Sequence, residues 1–466
     1  MTHNTVAVLG GGITGLTVAY DLSRKGFEVA VLEKNEVPGG MIETEDINGV
    51  IVERGLQMGL ENTAELIRLL GELGLQEEIT YANTCGDVKY ILKDNALHPI
   101  PLSLHEFFKS DLLTMRGKLK LLNERFASKT KDGYTESVAA FAERRMGPEV
   151  LKYIINPLVA ETYAGEPEKL SIRSAFPKLF ELEQQHGGIV PGTVKWLKQR
   201  KEVKNGETIS GKLFTFANGM ATLPKALHTA LGSKVHTLCD VISVEKNETG
   251  YRVTFSNAGR MKSLDCAAVV SAIPAYAAAR VFTSFGDSVL TALQDIPYAP
   301  LFTANLLIKK SDLSFPAYAG YGILLPSSES RELLNAVFLS RIFDHYEAPE
   351  THCITLHAGG TRNPELFELE RESIVQKIAK EFFDVTGIRP LLHGSQYKYW
   401  NKAIPQYSTR HHLIESKLDS AEKENPGIHF TGNYRNGITL GDCVRNAYRI
   451  AIQVETQLHT KRKDEE

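Results

Sequence analysis

The sequence predicts an α/β fold with a parallel-sheet unit at its start, a helical insertion, and a second strand-rich region before the chain returns to the first unit. Three observations predict it. Residues 5–40, TVAVLGGGITGLTVAYDLSRKGFEVAVLEKNEVPGG, read as strand, glycine turn, helix and strand in the span of one βαβ unit. Strand signals vanish from 103 to about 199, where helical periodicity takes over. Short strand-like runs then recur through 297–360.

The whole chain sets bounds. Its 466 residues allow two or three domains with ample core. A hydrophobic content of 42%, 23% charged residues and a net charge of −3 are ordinary for a soluble protein and give no argument for nucleic acid. Cys85, Cys239, Cys266, Cys353 and Cys443 are scattered without C-x-x-C spacing. They read as reduced cytosolic thiols and suggest neither a disulfide framework nor a metal site. The first strand begins almost at once, so the apolar start reads as fold and not as a signal peptide. No apolar run is long enough to span a membrane.

In the first unit, Thr5–Leu9 is a β-branched apolar run suited to a buried parallel strand. Gly10, Gly12 and Gly15 give G-x-G-x-x-G at the start of a helix that carries Leu16, Ala19, Tyr20 and Leu22 and ends at Gly26. Gly10 makes the tight turn, Gly12 lets the backbone approach a pyrophosphate, and Gly15 lets the helix pack on the strand. The pyrophosphate would sit at the helix N-terminus, where free N–H groups favour negative charge. Glu33 ends the second strand 18 residues after Gly15, placed to accept hydrogen bonds from a ribose diol. The bland alternative is an ordinary βαβ unit with a glycine-rich turn and no ligand. The motif alone does not choose FAD over NAD, although Gly39-Gly40 leans towards FAD.

Residues 41–60 suggest a hairpin turning at Asn48-Gly49, followed by a glycine-bearing loop. Leu66, Leu69 and Leu70 mark the apolar face of a helix over 62–73. Strand-like runs cover 81–97, and Pro99 and Pro101 mark a linker. In the helical insertion, Leu112, Met115, Leu119, Leu122 and Phe126 fall at steps of three and four, flanked by Arg116, Lys118, Lys120 and Arg125. That pattern reads as a core-facing stripe with a solvated basic face, the alternative being a helix lying on an anionic membrane. Further helices are expected over 136–145 and 149–153, and a loop over 184–192.

Strands over 235–244, 251–256 and 267–272 read as a return to the first unit, and 370–386 as a helix. Residues 427–453, GIHFTGNYRNGITLGDCVRNAYRIAIQ, give a strand, a glycine-studded loop and a helix with Asp442 as its N-cap. This second helix N-terminus is offered to another part of a ligand. Aimed at the pyrimidine edge of a flavin, its dipole would stabilise the charge gained on reduction. The bland alternative is a routine strand-loop-helix closure.

With both ends in place, the middle stretches carry a resemblance. LHPIP (97–101), NPLVAETYAG (156–165), AFPKL (175–179), FANGM (216–220), AIPQY (403–407), GNY (432–434) and GDC (441–443) match in order and spacing the FAD-dependent porphyrinogen oxidases. The chain resembles that family, which includes protoporphyrinogen and coproporphyrinogen III oxidases, from about Val6 to Ala451. Carotenoid desaturases and flavin amine oxidases share the two ends and are the alternative, and a non-catalytic flavin-binding module is a third. The resemblance implies an FAD-binding Rossmann-like domain of the amine oxidase/hydroxybenzoate hydroxylase type, discontinuous over 1–83, 210–275 and 399–460. It also implies a helical insertion at 100–200, membrane-contacting in some members, and a sheet-based substrate domain at 276–398.

By the same resemblance, FAD would meet Gly10, Gly11, Gly12, Ile13, Thr14, Gly15, Glu33, Lys34, Met41, Gly55, Leu56, Gln57, Met58, Val241, Trp400, Ile438, Thr439 and Leu440. Plain alternatives are a buried core indole for Trp400 and an ordinary strand residue for Val241. Tyr321, Gly322, Leu324, Val337 and His357 would face a flat macrocycle, although Leu324 and Val337 read equally as sheet core. The implied chemistry is oxidation of a porphyrinogen to a porphyrin in haem biosynthesis. It would remove six electrons over three flavin cycles, with O2 as acceptor and hydrogen peroxide as product, and no acid–base dyad or nucleophile is required. The implied setting is the cytoplasm or the inner face of the cell membrane. A haem-pathway partner enzyme and a homodimer are left open.

Three departures stand out. Gly55-Leu56 replaces a frequent Gly-Pro, and His357 replaces an apolar side chain. The basic residue that pairs with a propionate in some members has no clear equivalent: Glu65 falls near that place, with Arg68 one turn on.

Overall fold

The computed structural model describes residues 5–47, 49–83, 88–130, 132–189, 209–248, 250–313, 319–347 and 350–465. At its centre is a five-stranded parallel sheet in the order Val235–His236, Glu28–Leu32, Thr5–Leu9, Ala268–Ser271, Ile428–Phe430. All five residues of Thr5–Leu9 are buried, as a strand covered on both faces must be. Val6 and Val8 pack beneath the helices Ile13–Arg24 and Leu440–Glu465. Ala7 and Leu9 pack on the other side against the helices Ala275–Val281, Asp287–Gln294 and His411–Glu424. Residues 275–294 therefore share this core and not that of the second sheet.

The returning strands divide in a way local pattern did not reveal. Val235–His236 and Ala268–Ser271 join the parallel sheet, whereas Cys239–Asn247, Gly250–Asn257 and Arg260–Cys266 form an antiparallel sheet of their own. Arg260–Cys266 begins with four exposed residues, so it carries no apolar alternation.

A seven-stranded sheet forms the second layer, in the order Leu391–Pro405, Tyr298–Lys309, Thr351–Gly359, Leu333–Val337, Gly322–Leu324, Lys89–Lys93, Ala96–Pro99. Strand alternation gives it two unlike faces. Phe302, Ala304, Leu306, Ile354, Leu356 and Ala358 lie under the helix Arg371–Thr386. Thr303, Asn305, Thr355 and His357 take the opposite, polar face. The sheet also takes in strands outside 276–398. Asp94 and Asn95, at φ +52° and +60°, turn Lys89–Lys93 into Ala96–Pro99, so Pro99 ends an edge strand and is not part of a linker. Thr44–Ile47 and Val50–Glu53 pair as the expected hairpin, and Asn48 lies outside the described residues.

The helical insertion contains the largest departure from pattern. Leu112 is buried, but Met115, Leu119, Leu122 and Phe126 are 40–72% exposed, while Gly117 and Lys118 face inward. The core-facing stripe is therefore overturned. The Glu149 carboxylate accepts hydrogen bonds from Thr114 N and Oγ1 (2.7 and 2.5 Å) and lies where a Gly117 side chain would be. Lys118 Nζ donates to Phe108 O at 2.8 Å. These polar contacts fix the rotation of Met115–Leu122 and turn its apolar stripe outward. The helix expected over 149–153 is Pro148–Val150 followed by a π-helical turn, Leu151–Ile155, that runs into Asn156–Tyr163. Where a loop was expected from 184, the helix Pro177–His186 continues to His186, and residues 190–192 lie outside the described residues.

Candidate functional site: a nucleotide cradle opening onto a polar sheet face

One cavity of about 960 Å³ runs from the glycine turn to the polar face of the large sheet, at the upper end of the range for small-molecule sites. At the first end, Gly10 N donates to Leu32 O at 2.9 Å, and Gly10 adopts φ +98°. A Cβ on Gly15 would lie 2.0 Å from Gly10 O, so the helix approaches the turn this closely only with glycine there. The helix Ile13–Arg24 begins with no side-chain cap and no acidic residue in its first turn, leaving its N–H groups for an anion. Gly12 lies beside Gly39 and Gly40, backbone against backbone.

Glu33 is buried and already accepts from Gly11 N (2.6 Å) and Asn35 N (2.8 Å). A carboxylate has about four lone-pair sites, so it can still accept from a diol. Lys34 pairs with Asp240 at 3.0 Å beside Val241.

Farther along, Met41 and Gly55–Met58 form one wall. A Cβ on Gly55 would lie 1.9 Å from Met41 O, and Leu56 N donates to that same oxygen at 3.1 Å. Proline has no N–H, so Leu56 ties this loop where Gly-Pro would not. Gln57 Nε2 staples the loop by donating to Glu53 O (3.2 Å) and Gly55 O (3.1 Å). Glu53 itself is fully buried. Burial pushes its carboxyl up to about 7, against the opposing effect of hydrogen bonds from Tyr346 Oη (2.6 Å), Met220 N (2.8 Å) and Thr44 Oγ1 (2.7 Å). Trp400 lines the cavity and donates Nε1–H to Arg54 O at 3.2 Å.

Ile438 and Leu440 line the cavity at the second helix N-terminus. The cap there is Thr439, not Asp442: Thr439 Oγ1 accepts from Asp442 N (3.2 Å) and donates to Asp442 Oδ2 (2.7 Å). Thr439 is thereby turned away from the cavity lining, and Asp442 brings an acid into the first turn.

At the far end are Tyr321, Val337, Asn335, Thr303 and His357. His357 Nδ1 is 2.7 Å from Asn335 Oδ1, and burial lowers its pKa to about 4, so the imidazole is neutral at neutral pH. Gly322 and Leu324 do not line the cavity. Leu324 packs with Ile91, Leu112 and Tyr153 beneath the insertion, and Gly322 pairs with Val337 within the sheet.

The Glu65–Arg68 region, where the family's basic residue has no clear equivalent, lies away from the cavity. Arg68 pairs with Glu72 and Asp21 and covers the Tyr448 ring, and neither it nor Glu65 lines the cavity. Lys89 does line it, with Nζ 2.5 and 2.7 Å from the two carboxylate oxygens of Glu161 and 4.9 Å from the Tyr321 ring centre. The alternation of the strand Lys89–Lys93 could have placed Lys89 on the inner face, but nothing local identified which face was inner.

The cavity fits a long, partly polar ligand. Gln57 Oε1, Thr303 Oγ1 and Tyr434 Oη are buried in its lining without a protein partner, and such orphaned groups call for one from a ligand or water. The glycine cradle leaves room for a pyrophosphate where a Cβ would fill it. The residues present therefore fit FAD.

A cavity with a helix N-terminus at each of two places, lying between a parallel sheet and one polar face of a mixed sheet, defines the class. The chain belongs to the flavin containing amine oxidoreductase family, whose model matches residues 13–454. It is 27% identical over 472 residues to the chloroplastic protoporphyrinogen oxidase of Nicotiana tabacum, covering 96% of this chain and 84% of that protein. It is 24% identical over 457 residues to coproporphyrinogen III oxidase of Bacillus subtilis (strain 168), covering 94% and 95%. A crystal structure of a candidate protoporphyrinogen oxidase from Exiguobacterium sp. 255-15 shares the fold, with a TM-score of 0.80, 20% identity, and coverage of 98% of this chain and all of that one.

Proposed function

We propose that the protein is an FAD-dependent oxidase that converts a porphyrinogen to a porphyrin in haem biosynthesis, with O2 as terminal acceptor. The observation that carries this is that one cavity joins a glycine cradle to a polar sheet face with a half-buried lysine, Lys89. The names of the relatives supply the substrate class. Gly10–Gly12 with Ile13 and Thr14 would hold the pyrophosphate, Glu33 the ribose, and Val241 the adenine end. Met41, Gly55–Met58, Trp400, Ile438 and Leu440 would surround the ring system. Bound FAD supplies a two-electron acceptor that O2 reoxidises to give hydrogen peroxide, once for each of three two-electron steps.

The chain's own contribution is orientation and exclusion of water. Val337 and Tyr321 present flat apolar surface to the macrocycle, and the neutral His357 and Thr303 offer acceptors for pyrrole N–H groups. The test is anaerobic mixing of the flavin-loaded protein with protoporphyrinogen IX and coproporphyrinogen III, set beside an amine and a carotenoid panel. Loss of the yellow flavin band with a porphyrinogen is expected. Loss with an amine or carotenoid alone would overturn the assignment.

We further propose peripheral contact with an anionic membrane through the insertion. Leu102, Phe108, Met115, Leu119, Leu122 and Phe126 are exposed near Arg116, Lys120 and Arg125, the chemistry of an interfacial helix. Among the described residues no helix is long and apolar enough to cross a membrane. The protein should float with phosphatidylglycerol vesicles, and the double change Leu119→Glu, Phe126→Glu should leave it in the soluble fraction. Equal flotation of both would refute the contact.

A further inference from the structure

The far end of the cavity has an unusual electrostatic arrangement. The described charged residues in the lining are Glu33, Lys34, Asp240, Arg280, Lys402, Lys89 and Glu161. The first five belong to the nucleotide end. Lys34 pairs with Asp240, Lys402 lies 4.7 Å from the Tyr276 ring centre, and Arg280 and Lys34 both act on the Tyr276 hydroxyl. Only Lys89 and Glu161 remain near Tyr321, and they are bound to each other through both carboxylate oxygens. Their side chains are 19% and 22% exposed, so the pair is largely withdrawn from water yet still open to the cavity. Burial alone would lower the Lys89 pKa; the charge of Glu161 and the Tyr321 hydroxyl more than offset this, and Lys89 stays protonated.

A lysine alone at this place would attract a substrate carboxylate. With Glu161 in contact, the cation is already neutralised. A substrate carboxylate can reach it only by displacing Glu161, which would then be left partly buried without its partner, or by lying against Glu161 as a like charge. The two candidate macrocycles differ on this point. Protoporphyrinogen IX has propionates on two adjacent pyrroles and vinyl groups on the other two, so it can turn an uncharged edge towards the pair. Coproporphyrinogen III has a propionate on every pyrrole and no such edge.

We propose that Glu161 is a specificity-determining residue: by occupying Lys89 it selects a dicarboxylate porphyrinogen over a tetracarboxylate one. This rests on the porphyrinogen reading above and narrows it. Glu161 sits on the helix Asn156–Tyr163 and Lys89 on the inner end of the strand Lys89–Lys93, so the selecting pair bridges the insertion and the sheet.

The test measures kcat/KM for both porphyrinogens, and Kd for protoporphyrin IX and coproporphyrin III by fluorescence, in the flavin-loaded wild type and in Glu161→Gln. The amide keeps the shape and removes the charge. The wild type should prefer protoporphyrinogen IX. Glu161→Gln should raise the coproporphyrinogen-to-protoporphyrinogen ratio about tenfold or more, through KM and not kcat, with a parallel tightening of coproporphyrin III binding. Glu161→Asp, which keeps the charge, should keep the wild-type ratio, and Lys89→Gln with Glu161→Gln should lose the gain. An unchanged ratio in flavin-replete Glu161→Gln overturns the proposal, as does a wild type that prefers coproporphyrinogen III. If neither porphyrinogen is oxidised, the functional reading fails by itself, and the porphyrin affinities still judge the role of Glu161.

Discussion

Replacing Gly15 with valine should yield a protein that purifies without the yellow colour of bound flavin. The reason is steric and local. The Cβ of any residue at 15 would lie 2.0 Å from Gly10 O and 3.3 Å from the Ala272 Cβ. The first atom belongs to the turn backbone, so no side-chain rotation relieves the contact. The helix Ile13–Arg24 must move away from the turn, taking the N–H groups of its first turn out of the cradle. Overpacking of this kind typically costs about 1–3 kcal/mol, here directed at the N–H groups that would face a pyrophosphate. Flavin affinity should fall about a hundredfold, read as flavin-to-protein ratio and by fluorescence titration. Gly26→Ala is the matched control, because Gly26 has no atom within 4 Å of its would-be Cβ and only its φ of +87° is disfavoured. That variant should lose a little stability and keep its flavin. A yellow Gly15→Val would mean that the turn does not hold the nucleotide.

The largest effect on stability is expected at Arg145. Its guanidinium is fully buried and donates to Glu124 Oε2 (3.0 and 2.7 Å), Glu183 Oε1 (2.7 Å), Glu124 O (3.0 Å) and Gly187 O (2.8 Å). Glu124 and Glu183 are buried as well. Arg145→Met matches much of the side-chain volume but removes the cation between two buried carboxylates. Breaking a buried ion pair from one side costs about 3–5 kcal/mol, although Arg144, 2.9 Å from Glu183, retains part of the charge balance. Hydrogen exchange should show early opening of Val138–Met146 and Pro177–His186, while the strand Thr5–Leu9 stays protected. Adding Glu124→Gln and Glu183→Gln should restore part of the loss, since the burden is the uncompensated charge. An Arg145→Met protein that unfolds within about 1 kcal/mol of the wild type would refute this account.

The strand-turn-helix-strand geometry of the glycine cradle was legible in the sequence because it is local. Gly10, Gly12, Gly15 and Glu33 act within one βαβ unit, and the glycine spacing, helix periodicity and strand-end acid all refer to near neighbours. The second helix N-terminus was legible for the same reason, although the cap fell to Thr439 and not to Asp442. The sequence also determined the order of strand-rich and helical regions, which follows from side-chain period alone.

Tertiary structure decided whatever depended on a partner distant along the chain. The stripe Met115, Leu119, Leu122 has the period of a buried face, yet Glu149 and the Lys118–Phe108 contact turn it outward. Period reports that a helix has two faces, not which one the rest of the protein will cover. Leu324 read equally as a substrate-facing residue and as sheet core, and its packing with Ile91, Leu112 and Tyr153 makes it core. Lys89 and Glu161 are separated by 72 residues and meet only where the insertion docks on the sheet. A salt bridge leaves no mark on either segment's periodicity, so neither Lys89 nor its contact with Glu161 was legible in the sequence.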